Sequence, residues 1–140
     1  MDCTVSWLGN GGMTFSAETG SGHLLNMDGA PEAGGKNLAP RPMELLLAGA
    51  GGCSAFDVVL ILQKARQAVS SCDVKLKAER ANEDPKVFTK IDLHFIVTGK
   101  DLDQTKVERA VKLSHDKYCS ATAMLAKTAE LTYSIEVRSE

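Results

Sequence analysis

The sequence has no cluster of basic residues, and its charge is close to balance: 16 Lys and Arg stand against 18 Asp and Glu, a formal net charge of −2. A surface that binds nucleic acid or anionic lipid needs concentrated positive charge. The N-terminal residues, MDCTVSWLGN, also lack a basic segment followed by an apolar core, so we expect no signal peptide. These absences predict a cytoplasmic protein whose partners include neither nucleic acid nor a membrane.

The cysteines form no CxxC pair, and the three histidines do not fall at zinc-finger spacing. The spacing therefore predicts no metal site, and we expect no cofactor. In a reducing compartment the four thiols are not expected to form structural disulfides. Two of them, Cys3 and Cys72, are expected to have no role in a site.

No internal repeat or low-complexity segment is present in the 140 residues. Alternating apolar and polar residues predict six strands: 3–8, 13–18, 23–28, 74–79, 91–98 and 131–137. The first three are separated by glycine-rich turns, which indicates an antiparallel meander. With the helical segments between them, the order β-β-β, α, β-β, α, β predicts one α+β domain spanning residues 1–140.

The chain is organised around residues 41–64, RPMELLLAGAGGCSAFDVVLILQK. Pro42 suits the first turn of a helix, and from Leu45 to Leu62 the segment is apolar or small on nearly every side. Such a helix has no solvent face, so we expect it to lie at the centre, with the strands packed on it. One small set of strands covers only one side, which predicts a homodimer with the central helices buried between subunits.

Three glycines, Gly49, Gly51 and Gly52, interrupt this predicted helix, and each costs about 1 kcal/mol of helix stability relative to alanine. Two explanations remain open. The glycines could admit a neighbouring backbone at close range, or Gly51-Gly52 could end one helix so that Cys53 lies in the first turn of the next. In the second case the helix N-terminus would favour the Cys53 thiolate. Otherwise Cys53 could serve as a small buried apolar residue.

A second helix is predicted after the strand at 91–98. Asp101 or Asp103 can cap its N-terminus, and its expected inner stripe is Val107, Ala110, Val111 and Ser114. If this helix continued through Cys119, His115 and Asp116 would lie one turn earlier on the same face. That placement would permit a Cys–His–Asp hydrolase, although both residues also fit an ordinary solvated helix surface.

The run PMELLLAGAGGC, which ends at Cys53, resembles the OsmC/Ohr family, as do Asp57 after it and the later Tyr118-Cys119-Ser120. The order of elements matches that family over nearly the whole chain. The resemblance implies an OsmC-like fold and an intertwined homodimer with two interface sites that reduce organic hydroperoxides. It assigns the peroxidatic thiolate to Cys53 and the resolving thiol to Cys119. It also implies an external dithiol reductant and a role in the oxidative stress response.

The chain departs from the family pattern near the first of these cysteines. Active members carry a glutamate directly after the helix-opening proline, where this chain has Met43, and an arginine in the N-terminal strand region, whereas no arginine precedes Arg41 here. Glu44 follows one residue later, about 100° around the helix. Arg41 and Glu44 could form a substitute pair. The alternative to a peroxidase is a protein that has lost the activating pair and holds a small apolar ligand without turnover.

Overall fold

The computed structural model describes all 140 residues, which form two compact units, Met1–Leu46 and Leu47–Glu140. The first unit contains an antiparallel sheet in the order β1-β2-β3, built from β1 (Cys3–Trp7), β2 (Thr14–Thr19) and β3 (Leu24–Asp28). The predicted meander is confirmed, with each strand boundary within one residue of its expected position. The single domain predicted for residues 1–140 stays a prediction.

The loop after β3 is fixed by a buried carboxylate. Asp28 accepts hydrogen bonds from three backbone N–H groups, those of Gly29, Lys36 and Leu38, at 2.8, 3.1 and 3.0 Å. The bond from Leu38 is the largest cause that holds the pKa of Asp28 below its usual range. A short 3-10 helix, Pro31–Ala33, lies within the same loop. The loop is thereby held to the end of the first sheet.

The central segment forms one unbroken helix, α1 (Pro42–Lys64). The break considered at Gly51-Gly52 is therefore not formed, and Cys53 lies in the middle of α1 rather than in the first turn of a new helix. A neighbour lies close to Gly51, but it is a side chain and not the backbone that we considered: a Cβ there would lie 2.7 Å from Cδ1 of Leu76. No atom lies within 4 Å of a Cβ placed at Gly52. The two glycines thus have different surroundings.

Helix α1 buries one stripe and leaves much of its apolar surface exposed. The buried residues recur at helical spacing and are Ala50, Gly51, Ser54, Val58 and Leu62. On other faces Leu46, Phe56 and Leu60 are 53%, 67% and 37% exposed. The helix is long and apolar enough to cross a membrane, a test that core helices of soluble proteins also pass, and 28% of its most apolar 18-residue window is buried. Cover on every side is not found within one chain, and the homodimer stays a prediction.

The second unit contains a sheet in the order β4-β5-β6, built from β4 (Ala68–Arg80), β5 (Phe88–Lys100) and β6 (Glu130–Ser139). Strands β4 and β5 are antiparallel, whereas β5 and β6 are parallel. Leu76, Leu93 and Tyr133 are register partners across the three strands. Because side chains alternate along a strand, these residues mark one face of the sheet, the face whose Leu76 meets α1.

Parallel strands require a crossover, and here it consists of α2 (Gln104–Leu113), a π-helical turn (Ser114–Tyr118) and α3 (Ser120–Leu125). Asp103 caps α2, accepting hydrogen bonds from the N–H groups of Thr105 and Lys106 at 2.9 and 3.3 Å. The expected cap is thus confirmed at Asp103. The predicted inner stripe is also confirmed, since all of its members are buried: Val107, Ala110, Val111 and Ser114.

Candidate functional site

Two of the four cysteines meet in the second unit, where the middle of α1 faces the start of α3. The Sγ atoms of Cys53 and Cys119 and a carboxylate oxygen of Asp57 all lie within 4.8 Å of one another. Cys53 and Asp57 are one turn apart on α1, and Cys119 comes from the crossover. Cys119 is only 2% exposed, whereas Cys53 and Asp57 are half-buried. The structure therefore brings together the two cysteines identified in the sequence.

The π-helical turn determines where the Cys119 thiol points. The N–H of Cys119 donates to the carbonyl oxygen of Ser114 at 2.9 Å, which closes the wider turn. Cys119 then has an extended backbone, with φ −72° and ψ 102°, and α3 begins at the next residue. Its Sγ accepts a hydrogen bond from the N–H of Thr122 at 3.4 Å. The thiol thus takes the place that a hydroxyl or carboxylate usually has at a helix N-cap.

Two buried serines connect the thiols with the carboxylate. Ser54 Oγ donates to Cys119 Sγ at 3.3 Å. Ser114 Oγ lies 3.0 Å from Asp57 Oδ2, and its more distant neighbour, the carbonyl oxygen of Ser54, is 3.4 Å away. Asp57 takes part in none of the ion pairs of the chain. Ser54, Ser114 and Thr122 were not predicted as site residues from the sequence. The one signal available there is a small polar residue within an apolar stripe.

The pKa values of the two thiols shift in opposite directions. Burial is the largest cause that raises the pKa of Cys53; a hydrogen bond from the backbone N–H of Ala121 lowers it, but the adjacent Cys119 thiol and the Asp57 carboxylate also raise it, and the pKa lies above its ordinary value. Burial also acts to raise the pKa of Cys119, but hydrogen bonds from Ser54, Thr122 and Cys53 outweigh burial, so the pKa of Cys119 lies below its ordinary value. The two thiols therefore titrate as a coupled pair, and the first proton is lost from Cys119.

Arg41 and Glu44, the predicted auxiliary residues, do not form an ion pair. Glu44 Oε2 accepts a hydrogen bond from the backbone N–H of Arg41 at 2.9 Å, a capping contact at the start of α1. The guanidinium of Arg41 donates to Asn37 Oδ1 at 3.1 Å and to the carbonyl oxygen of Ala39 at 3.2 Å. The hypothesis of a substitute ion pair is therefore wrong, because each side chain is engaged by a local partner.

The Cys–His–Asp arrangement is not formed either. The ring of His115 packs against that of Tyr133, with centroids 5.0 Å apart, and Asp116 forms an ion pair with Lys112. No hydrogen bond joins His115 or Asp116 to Cys119. The reason is the π-helical turn: the helix does not continue through Cys119, so the side chains one turn earlier do not share its face.

The other two cysteines lie outside the site. Cys3 is exposed on β1, and Cys72 is half-buried on β4. Burial, followed by the charge of Asp73, raises the pKa of Cys72 to about 11. All four cysteines are free thiols. That Cys3 and Cys72 have no part in the activity stays a prediction.

Comparisons with known proteins identify the family. The family described as OsmC-like protein matches residues 34–134. Protein YhfA of Escherichia coli strain K12 is 54% identical over 137 residues, 98% of each chain. A crystal structure of a hypothetical protein from Aquifex aeolicus has a TM-score of 0.85 at 32% identity, covering 99% of this chain and 96% of that one. An organic hydroperoxide resistance protein OsmC from Legionella pneumophila has a TM-score of 0.68 at 17% identity, covering 97% of both.

These findings confirm two predictions made from the sequence. The first is the resemblance carried by the run that ends at Cys53, and the second is the α+β class with an OsmC-like fold. The chain belongs to the OsmC-like protein family.

Proposed function

We propose that the protein is a hydroperoxide reductase with a role in the oxidative stress response, in which Cys53 is the attacking thiol and Cys119 the resolving thiol. The observation that carries this proposal is the meeting of two thiols from separate elements within 4.8 Å of each other. Membership of the OsmC-like family supports the same class, as does the fold shared with a protein named for organic hydroperoxide resistance.

The reaction has three steps. The Cys53 thiolate attacks a peroxide oxygen, a sulfur–oxygen bond forms as the O–O bond breaks, and the alkoxide leaves and takes a proton to become an alcohol. Cys119 then attacks the sulfenic acid on Cys53, which releases water and forms a disulfide. An external dithiol of the cytoplasm reduces that disulfide by two exchanges and becomes a disulfide itself. Its two electrons balance the reduction of the peroxide.

Exposure assigns the first attack to Cys53, because Cys119 is only 2% exposed. The negative charge of the deprotonated pair rests on Cys119, so Cys53 becomes the nucleophile by passing its proton to Cys119. That transfer leaves Cys119 protonated, and Cys119 loses this proton again before the second step. Hydrogen bonds from Ser54 and Thr122 then stabilise the Cys119 thiolate as it attacks the sulfenic acid.

The test is intact mass and thiol titration of the reduced protein after one equivalent of cumene hydroperoxide. We expect two thiols to be lost and peptide mapping to find a disulfide between Cys53 and Cys119. Cys119→Ser should stop at a sulfenic acid on Cys53, which dimedone traps, and Cys53→Ser should leave the peroxide unconsumed. Cys72→Ser is the matched control, since it removes another half-buried thiol, and it should behave like the unmodified chain.

A second candidate is a binding protein without turnover. It is favoured by the engagement of Arg41 and Glu44 with local partners, which leaves no ion pair between these two residues. An apolar groove of about 290 Å³ on α1 supplies a surface for a ligand and is lined by Gly52, Ala55, Phe56, Val59, Leu60 and Gln63. Thiols that stay reduced at one equivalent of peroxide would decide for this candidate. Native mass spectrometry would then detect a bound apolar ligand.

The proposed active form is a homodimer. The support for it is the exposed apolar surface of α1, which includes Leu46, Phe56 and Leu60; burial of such surface drives association. Light scattering coupled to size-exclusion chromatography should give twice the chain mass of 15.0 kDa. A mass equal to that of one chain would exclude the homodimer.

A further inference from the structure

We propose that Cys53, Asp57 and Cys119 form a reversible zinc-binding site whose fourth position is open to water. The three ligand atoms lie within 4.8 Å of one another. Two sulfur ligands of a tetrahedral zinc ion, each at about 2.3 Å, are about 3.8 Å apart. Inward movements of roughly 1 Å therefore bring the three ligand atoms to the separations that a bound zinc ion requires.

The donor set selects the kind of metal ion. Two thiolates suit zinc, whereas calcium and magnesium require ligand sets made almost entirely of oxygen. Zinc accepts a carboxylate oxygen beside thiolates and a water in the remaining position. The half-buried positions of Cys53 and Asp57 leave one side of the set open to solvent. An ion can therefore enter and leave without unfolding of the chain.

Asp57 is the member of this cluster for which the proposed peroxidase reaction has no use. The carboxylate is half-buried and has no cationic partner in the chain. Charges removed from water need a compensating partner. A divalent cation between Asp57 and the two thiolates supplies that compensation.

Further hydrogen bonds hold the ligands in place, as the outer groups of metal sites do. The hydroxyl of Ser114 lies 3.0 Å from Asp57 Oδ2, so that carboxylate has a fixed orientation. Ser54 and the N–H of Thr122 donate to Cys119 Sγ at 3.3 and 3.4 Å. Two of the three ligands are thus oriented before any ion binds. This lowers the conformational entropy that binding would otherwise lose.

Zinc binding displaces the remaining thiol protons into solvent. The same sulfur lone pairs cannot bind zinc and form a disulfide, so the two states exclude each other. One equivalent of peroxide oxidises the two thiolates to the disulfide and releases the ion. This last consequence rests on the proposed function, whereas zinc binding itself does not.

The experiment uses the full chain, reduced and without an affinity tag, with Cys3→Ser and Cys72→Ser introduced so that only the site thiols remain. Zinc chloride is titrated in competition with a chromophoric chelator, and cobalt chloride is titrated separately as a spectroscopic probe. We expect one ion per chain. Cobalt should give the visible bands of a tetrahedral site together with sulfur-to-cobalt charge transfer in the near ultraviolet.

Substitution of Asp57 tests whether zinc is bound by all three proposed ligands or by the two thiols alone. Asp57→Asn should raise the Kd for zinc at least about tenfold, because even outer groups of metal sites change affinity by that amount. Ser114→Ala should raise it by a smaller factor. Asp92→Asn is the matched control: its carboxylate accepts a hydrogen bond from the Thr132 hydroxyl on the exposed sheet face, and the Kd should not change.

Zinc bound at well below one ion per chain would overturn the inference, as would an unchanged Kd in Asp57→Asn. Circular dichroism establishes that each variant is folded, and Asp57→Ser, which also removes the carboxylate, supplies the same comparison if Asp57→Asn unfolds. No peroxide is present in these titrations. Failure of the peroxidase therefore leaves the zinc result standing, and failure to bind zinc leaves the peroxidase test unaffected.

Discussion

Cys119 and Cys72 are both largely removed from solvent, yet their thiol pKa values move in opposite directions. Cys72, on β4, is half-buried beside the charge of Asp73, and its pKa rises to about 11. Cys119 is the more deeply buried of the two, but Ser54 and Thr122 direct hydrogen-bond donors at its sulfur, and its pKa falls. Burial alone suppresses a thiolate; donors aimed at the sulfur reverse that effect.

The largest expected consequence concerns alkylation of Cys72. With a pKa of about 11, only about one thiol in a thousand is ionised at pH 8, against roughly a quarter for an ordinary cysteine. We expect iodoacetamide to modify Cys72 on the order of 100-fold more slowly in the folded protein than in the chain unfolded in urea. Quantitative peptide mapping over time measures both rates. Rates within tenfold of each other would contradict the environment described for Cys72.

Without the hydrogen bond from Ser54, the pKa of Cys119 should rise, as burial raises that of Cys72. Ser54→Ala removes the hydroxyl that donates to Cys119 Sγ, and a hydrogen bond to a charged group contributes about 1.5–3 kcal/mol. The pH at which the pair first ionises should therefore rise, as measured by ultraviolet absorbance of the thiolate in the Cys3→Ser, Cys72→Ser background. Disulfide formation at a given pH should slow accordingly. Ser70→Ala, which removes a hydroxyl bonded to the carbonyl oxygen of Thr98, should leave the midpoint unchanged.

Substitutions at the two adjacent glycines of α1 test how closely this helix, which carries Cys53, packs against β4, which carries Cys72. In Gly51→Ala the new methyl group would meet Leu76 at 2.7 Å, so we expect the free energy of unfolding to fall by about 1–3 kcal/mol. In Gly52→Ala the methyl group meets no atom within 4 Å. Because alanine has the better helix propensity, the free energy of unfolding should rise by about 1 kcal/mol. Urea denaturation measures both. Equal changes in the two variants would contradict the packing at Gly51.

The smallest effect is expected from Asp73→Asn. Asp73 is the second cause, after burial, of the raised pKa of Cys72. Its side chain is exposed, so salt screens the interaction. We expect the alkylation rate of Cys72 at pH 8 to increase less than about threefold at low ionic strength, and the difference to shrink in 1 M salt. A slower rate in the variant would show that the charge acts in the other direction.

The sequence predicted those features that depend on residues within a turn or two of one another. Pro42 does begin α1, Asp103 caps α2, and the stripe from Val107 to Ser114 is buried. Complete burial of α1 was not predictable in the same way. Apolar side chains show that a helix favours burial, but not that one chain has enough surface to cover it, and Phe56 remains 67% exposed.

The geometry of the site was predicted only in part. The resemblance identified Cys53 and Cys119. The hydrogen-bond donors at Cys119 depend on the π-helical turn, and this turn could not be predicted because it has no periodic pattern in the sequence. The expectation that no metal site exists came from spacing along the chain, and it stays a prediction. Spacing does not detect side chains that meet from separate elements, such as Asp57 on α1 and Cys119 in the crossover.

The parallel pairing of β5 with β6 has a consequence for the order in which the protein folds. Strands β4 and β5 are joined by a short connection, whereas β6 pairs only after the whole crossover has closed, and contacts distant in sequence form late. Cys119 lies within that crossover. During synthesis on the ribosome Cys53 therefore emerges before its partner exists. A nascent chain that meets an oxidant at this stage presents a lone thiol, which can form mixed disulfides with small cellular thiols but not the internal disulfide.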